Sequence, residues 1–175
     1  NNHTASMITF LHRSDLCYIH AMNEITINGT VSHSLEETQD IAKRWLLDIS
    51  KKYADNKRAT VIGLSGNLGA GKTAFVKAVA RALNIEETVT SPTFVIMKIY
   101  EIRSSVAENG GETVDGKNWK RLVHIDLYRL GKKEELKALN LEDVVNDPNN
   151  LVMVEWPENV GFETDEVIKF EALSE

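Results

Sequence analysis

Gly66-Asn67-Leu68-Gly69-Ala70-Gly71-Lys72-Thr73 fits the pattern G-x-x-x-x-G-K-[ST], and no other stretch narrows the fold as far. Glycines at these positions let backbone N–H groups turn inward around a polyphosphate, and a helix that follows adds the partial positive charge of its N-terminus. Lys72 is then in reach of the β- and γ-phosphates, and the Thr73 hydroxyl is a ligand for Mg2+. A chain of ordinary composition and this length meets the pattern by accident in fewer than about one case in a hundred, and the context narrows it further. Residues 59–65 are apolar and β-branched, as in a buried strand. Residues 73–83 carry Phe75, Val76, Val79, Ala80 and Leu83 at helical spacing, with Asn84 suited to a left-handed stop. Strand, glycine loop and helix in this order predict a phosphate-binding segment over residues 66–74, Ala74 included. A mere glycine turn into an ordinary helix has no use for Lys-Thr there.

The chain has 175 residues, enough for one domain with a sizeable core. A single domain is expected over residues 22–175. Residues 1–21 read as a tag remnant or a poorly structured extension, because Arg13, Ser14 and Asp15 interrupt the only apolar run before a signal-type core develops. No run is long enough to cross a membrane. A net charge of −6 argues against a broad basic surface for gripping nucleic acid, so any link to RNA is expected to run through a partner. Cys17 is the only cysteine, which excludes an internal disulfide and suits a reducing, cytoplasmic setting.

Strand patterns alternate with helical ones. Residues 24–31 read as a half-exposed strand. Ser34-Leu35-Glu36-Glu37 is a capping box opening a helix to about Tyr53, with Thr38, Ile41, Ala42, Trp45, Leu46 and Ile49 inward. Further strands are predicted over 95–102, 121–126, 151–155 and 167–173, a short helix over 132–139 that 141–145 continues, and an exposed, glycine-containing insertion over 103–120. The predicted fold is α/β: a P-loop NTPase-like three-layer sandwich with a mainly parallel central sheet and an antiparallel hairpin near residues 95–125.

Turnover of a bound nucleotide needs Mg2+ held from a second side and a group that positions the attacking oxygen. In open α/β sheets ligands sit beyond the carboxyl ends of strands. Asp126 and Glu155 both end apolar strands. One is expected to support Mg2+ and the other to orient water, without the sequence assigning which. Thr90-Ser91-Pro92-Thr93 offers hydroxyls and a rigid proline as a γ-phosphate sensor, against the simpler reading of a turn. Trp156 is a core aromatic or a contact at the site rim, and His124 reads as a packed histidine.

Four blocks in order, the P-loop, Thr90-Ser91-Pro92-Thr93-Phe94, His124-Ile125-Asp126-Leu127-Tyr128-Arg129-Leu130 and Val154-Glu155-Trp156-Pro157-Glu158, resemble those of the bacterial TsaE (YjeE-type) ATPases. The likeness spans roughly residues 25–160, and its Asp-Leu-Tyr-Arg and Glu-Trp-Pro segments are far more specific than the P-loop. It implies an ATP hydrolase, with ATP and Mg2+ as ligands, needed for N6-threonylcarbamoylation of adenosine 37 in tRNAs reading ANN codons. It implies TsaD and TsaB as partners and tRNA as an indirect one. Residue by residue it implies Lys72 and Thr73 for phosphate and Mg2+, Glu155 as the Walker-B-like metal acid and Thr93 in a switch-like segment. It gives Asp126 and Trp156 supporting roles and sets Thr38 near the nucleotide. Asn67 and Ala74 depart from the usual acid and second hydroxyl without removing a phosphate or metal ligand.

A small-molecule kinase is the alternative. It calls for an arginine-bearing lid, yet residues 131–150 carry only Lys132, Lys133 and Lys137 as basic groups and no arginine follows Arg129. A guanine-reading Asn-Lys-x-Asp tetrapeptide is absent, since Asn56-Lys57-Arg58-Ala59 lacks the acid.

Overall fold

The computed structural model describes residues 25–103 and 118–172. The expectations for residues 1–21 and for most of the 103–120 insertion lie outside the described residues.

The chain runs β1 (Ile25–Ile27), β2 (Thr30–Ser32), α1 (Leu35–Lys52), β3 (Thr60–Gly66), α2 (Lys72–Ala82), β4 (Met97–Glu101) and β5 (Arg121–Asp126). A 3-10 turn (Lys133–Leu139), α3 (Glu142–Asn146), β6 (Asn150–Glu155), a second 3-10 turn (Pro157–Asn159) and β7 (Glu166–Ala172) follow. All seven strands form one sheet in the order β2-β1-β7-β3-β6-β5-β4. The four central strands β7, β3, β6 and β5 are parallel. Antiparallel strands flank them, β4 beside β5 and the β1–β2 pair beside β7. Parallel strands buried on both faces need continuous apolar runs, and β6 supplies one in Leu151, Val152, Met153 and Val154, none of them measurably exposed.

The two faces are covered unequally. One packs Ile62, Leu64, Leu122, Leu151, Met153, Ile168 and Phe170 against α1 and α2. The other packs Val61, Val123, Ile125, Val152 and Val154 under Leu136, Leu139, Leu141, Val144, Val145 and Phe162 of the short helices and loops. Three layers are present, but both long helices share one side. Phe75 of α2 anchors that side, meeting Trp45 edge-on at 5.3 Å and Phe170 at 5.5 Å between ring centroids.

Local chemistry explains the boundaries. The Ser34 Oγ accepts from Glu37 N at 3.1 Å, and Glu37 Oε2 accepts in turn from the N–H of His33 at 2.7 Å, so the capping box holds with its return bond one residue early. Asn84 takes φ 56°, the left-handed conformation that ends α2. Three predictions need correction. Residues 133–139 form a 3-10 segment that Asn140 (φ 47°) ends, so 142–146 is a separate helix and does not continue it. Residues 24–31 are not one strand, because Asn28 (φ 47°) and Gly29 (φ 81°) turn the chain back as a hairpin, the conformation an Asn-Gly pair favours. Val95 and Ile96 do not extend β4, because both their N–H groups donate to the Pro92 carbonyl, at 2.9 and 2.6 Å. No helix among the described residues is long and apolar enough to cross a membrane.

Candidate functional site

The loop after β3 is shaped by two separate glycine requirements. Gly66 has φ +146°, and a Cβ there would lie 2.2 Å from the Phe170 carbonyl oxygen of the neighbouring β7. Gly69 (φ +80°) has open space around it and answers only to its backbone angle. Gly71, with φ 96°, is the N-cap of α2 and supplies no side-chain cap. The first-turn N–H groups of that eleven-residue helix therefore meet no capping side chain, with no acid in the first turn. Such an end attracts anions.

Lys72 is almost fully buried beneath this loop. Its Nζ donates to the carbonyls of Gly66 at 2.6 Å and Asn67 at 2.9 Å, and lies 4.0 Å from the centroid of the Trp156 ring. Burial pushes the ammonium below the usual lysine value, against the opposing pull of the Glu155, Glu158 and Asp126 carboxylates. A phosphate chain beside Lys72 would relieve that penalty.

Strand alternation aims the acids at this place. Glu155 lies directly across from Asp126 in the parallel β5–β6 register. Counting back by twos, both belong to the strand faces that carry Leu122 and Leu151 toward α2. The Thr73 hydroxyl donates to Glu155 Oε1 at 2.7 Å. Asp126 Oδ2 accepts from the Thr93 hydroxyl at 2.5 Å, and its Oδ1 accepts from Tyr128 N at 3.0 Å. Ser91 Oγ lies 2.6 Å from Thr93 Oγ1. Trp156 holds φ 59°, ψ 44°, a left-handed conformation that is strained for a bulky residue. Its N–H donates to the Leu64 carbonyl at 3.1 Å, and its ring meets Tyr128 at 5.3 Å.

These groups line one cleft of about 240 Å3, walled by residues 68–74 on one side and by Ser91, Thr93, Asp126, Tyr128, Glu155 and Trp156 on the other. That is below the ~300–1,000 Å3 of sites that bury a whole ligand; it suits a phosphate chain with the rest of a nucleotide outside. Hydroxyl and carboxylate oxygens make a hard donor set, as Mg2+ requires. Among the described residues no three His, Cys, Asp or Glu side chains form a metal cluster. Mg2+ that arrives with phosphates needs only one or two protein carboxylates.

Of the predicted site residues, Lys72, Thr73, Ala74, Thr93, Asp126, Glu155 and Trp156 come together here with Leu68, Gly69, Ala70 and Gly71. Gly66 and Asn67 contribute the carbonyls that hold Lys72. Thr38 is not brought to the cleft. It is fully buried, and its hydroxyl is committed to the Ser34 carbonyl at 3.0 Å and to Ser32 Oγ at 2.8 Å. Sequence reasoning gives no site role to three residues, one of them the packed His124. Tyr128 braces both Asp126 and Trp156. Glu158 accepts from Ser65 Oγ at 2.9 Å and pulls on Lys72. His124 reaches Glu155 at 2.9 Å; its alternation with Asp126 was the available signal, but that contact needs β5 and β6 to be neighbours.

Fold and cleft together define a P-loop protein, with the phosphate loop between a central parallel strand and its helix and two strand-end acids facing it. The family model described as "Threonylcarbamoyl adenosine biosynthesis protein TsaE" matches residues 32–175. The chain belongs to the TsaE family. It is similar to the tRNA threonylcarbamoyladenosine biosynthesis protein TsaE of Treponema pallidum, 31% identical over 136 residues, or 78% of this chain and 83% of that one. The protein of the same name from Haemophilus influenzae is 29% identical over 119 residues, or 65% of each chain. A crystal structure of Bacillus subtilus YdiB, 30% identical, covers 85% of this chain and 78% of its own with a TM-score of 0.49.

Proposed function

We propose that the protein is a Mg2+-dependent ATP hydrolase that supports threonylcarbamoylation of adenosine 37 in tRNAs reading ANN codons, working in the cytoplasm with TsaB and TsaD. The unit that does this is a single domain over residues 22–175. Family membership supports the pathway. The observation that carries the activity is the approach of Glu155 to Thr73 (2.7 Å) on the open side of the phosphate loop.

In this reading the uncapped N–H groups of α2 and the Lys72 ammonium bind the β- and γ-phosphates of ATP. Thr73 and Glu155 hold Mg2+, which supplies neutralisation of charge building on the phosphate oxygens. The Asp126 carboxylate, kept in place by Tyr128 N and Thr93, accepts a hydrogen bond from the attacking water and orients it. Thr93 and Ser91, sharing one short hydroxyl contact beside Asp126, respond to the γ-phosphate. Trp156 closes the floor over Lys72 and excludes water from it. The acidic net charge supports contact with tRNA through partners rather than directly.

ATP hydrolysis measured alone and with TsaB and TsaD tests this. Strong stimulation by the pair is expected. A rate that ignores them but responds to a small phosphoryl acceptor would point to the kinase alternative.

A further inference from the structure

His124 sits at the centre of the β5–β6 interface with no exposed surface. Its Nε2 is 2.9 Å from Glu155 Oε1, the oxygen that also accepts from the Thr73 hydroxyl. Its Nδ1 is buried without a partner. As a packing residue this is an expensive choice, since one ring nitrogen is desolvated with nothing in return and a leucine would fill the same apolar layer. What the imidazole adds is a single N–H directed at a carboxylate. Facing an ionised Glu155, a neutral imidazole makes that bond only as the Nε2-protonated tautomer, which leaves its bare Nδ1 toward the core.

We propose that His124 is a positioning residue for Glu155. Its Nε2–H and the Thr73 hydroxyl clamp the same carboxylate oxygen from two sides, fixing the plane of the carboxylate and thereby the direction of Oε2. Carboxylates that ligate metals are oriented by such partners, whose loss typically weakens metal binding about 10–100-fold. The inference rests on the assignment of Glu155 to Mg2+ and extends it by one residue.

The test uses the full chain and a non-hydrolysable ATP analogue, titrated calorimetrically with and without Mg2+. His124→Leu is expected to reduce the Mg2+-dependent gain in affinity about tenfold or more, leaving Mg2+-free affinity within about twofold. His124→Gln, whose amide N–H reaches the Nε2 position, is expected to recover most of the gain. A His124→Leu protein with the wild-type gain, or a His124→Gln protein no better than His124→Leu, overturns the role. Nitrogen-15 shifts of the wild-type imidazole keep the test open should the leucine variant not fold: an Nδ1-protonated neutral tautomer also overturns it. A wild-type protein whose analogue affinity ignores Mg2+ removes the Glu155 assignment and this proposal together. A normal wild-type gain untouched by His124→Leu removes only the role of His124.

Discussion

Gly66→Ala and Gly69→Ala separate the two reasons for glycine in the phosphate loop. Both positions have positive φ, which costs a residue with a side chain about 1–2 kcal/mol in the left-handed region. At Gly69, φ +80° with open surroundings, that is the whole cost. At Gly66 the angle of +146° lies outside the left-handed well, and the new Cβ meets a main-chain oxygen of β7 at 2.2 Å. Phe170 is paired to Gly66 in the parallel ladder and its ring lies in the core, so relief requires separating β3 from β7. Sparsely populated backbone alone costs about 1–3 kcal/mol, and the displaced strand raises the total above about 3 kcal/mol. For a domain of this size 1 kcal/mol moves Tm by about 2–4 °C. Gly66→Ala is expected to lower Tm by at least ~6 °C and Gly69→Ala by ~2–8 °C, with the larger loss at Gly66, measured by thermal unfolding without ligand. Equal shifts, or a larger one at Gly69, would refute the close-approach argument.

Four further outcomes are expected. Lys72→Ala abolishes ATP binding, while Glu155→Ala spares binding more than turnover; equilibrium binding beside a hydrolysis assay distinguishes them. Bound phosphate draws Lys72 off the Trp156 ring, so tryptophan fluorescence changes on ATP binding and Trp156→Phe removes that change, leaving Trp45 and Trp119 silent. Ser34→Ala removes the α1 cap and costs about 1 kcal/mol, or ~2–4 °C of Tm. The Asp147 carboxyl is held below its ordinary value of 3.8, first by the Asn149 backbone N–H, then by the Asn149 side chain, with a smaller contribution from Arg121. The stability this provides is present above that ordinary value and is lost as pH falls through the lower folded value. Asp147→Asn is therefore less stable than wild type at pH 7, and the gap closes as acid protonates the folded-state carboxylate, as urea titrations at neutral and strongly acid pH would record.

What was legible in the chain was what depends on neighbours in sequence. The phosphate loop, the apolar strands that end on Asp126 and Glu155, the Ser34 cap and the Asn84 stop all announce themselves within about a dozen residues. Where sequence pattern and structure differ, a local turn signal overrides the alternation or a distant partner decides the outcome. Asn28-Gly29 was a hairpin signal hidden inside an alternating pattern. The Pro92 carbonyl captured the N–H groups of Val95 and Ile96 before they could join β4. The contact of His124 with Glu155 joins residues 31 apart in sequence. It exists because β5 and β6 lie side by side and parallel, which no spacing reveals.

The central claim is that a triphosphate lies in the loop 66–73 with its Mg2+ between Thr73 and Glu155. A crystal structure with a non-hydrolysable ATP analogue and Mg2+ tests it most directly. The expected result is phosphate density against the α2 N-terminus and Lys72, with a metal in reach of Thr73 and the Glu155 carboxylate. Nucleotide density elsewhere, or Glu155 turned away from the metal and still bound to His124 alone, would contradict it.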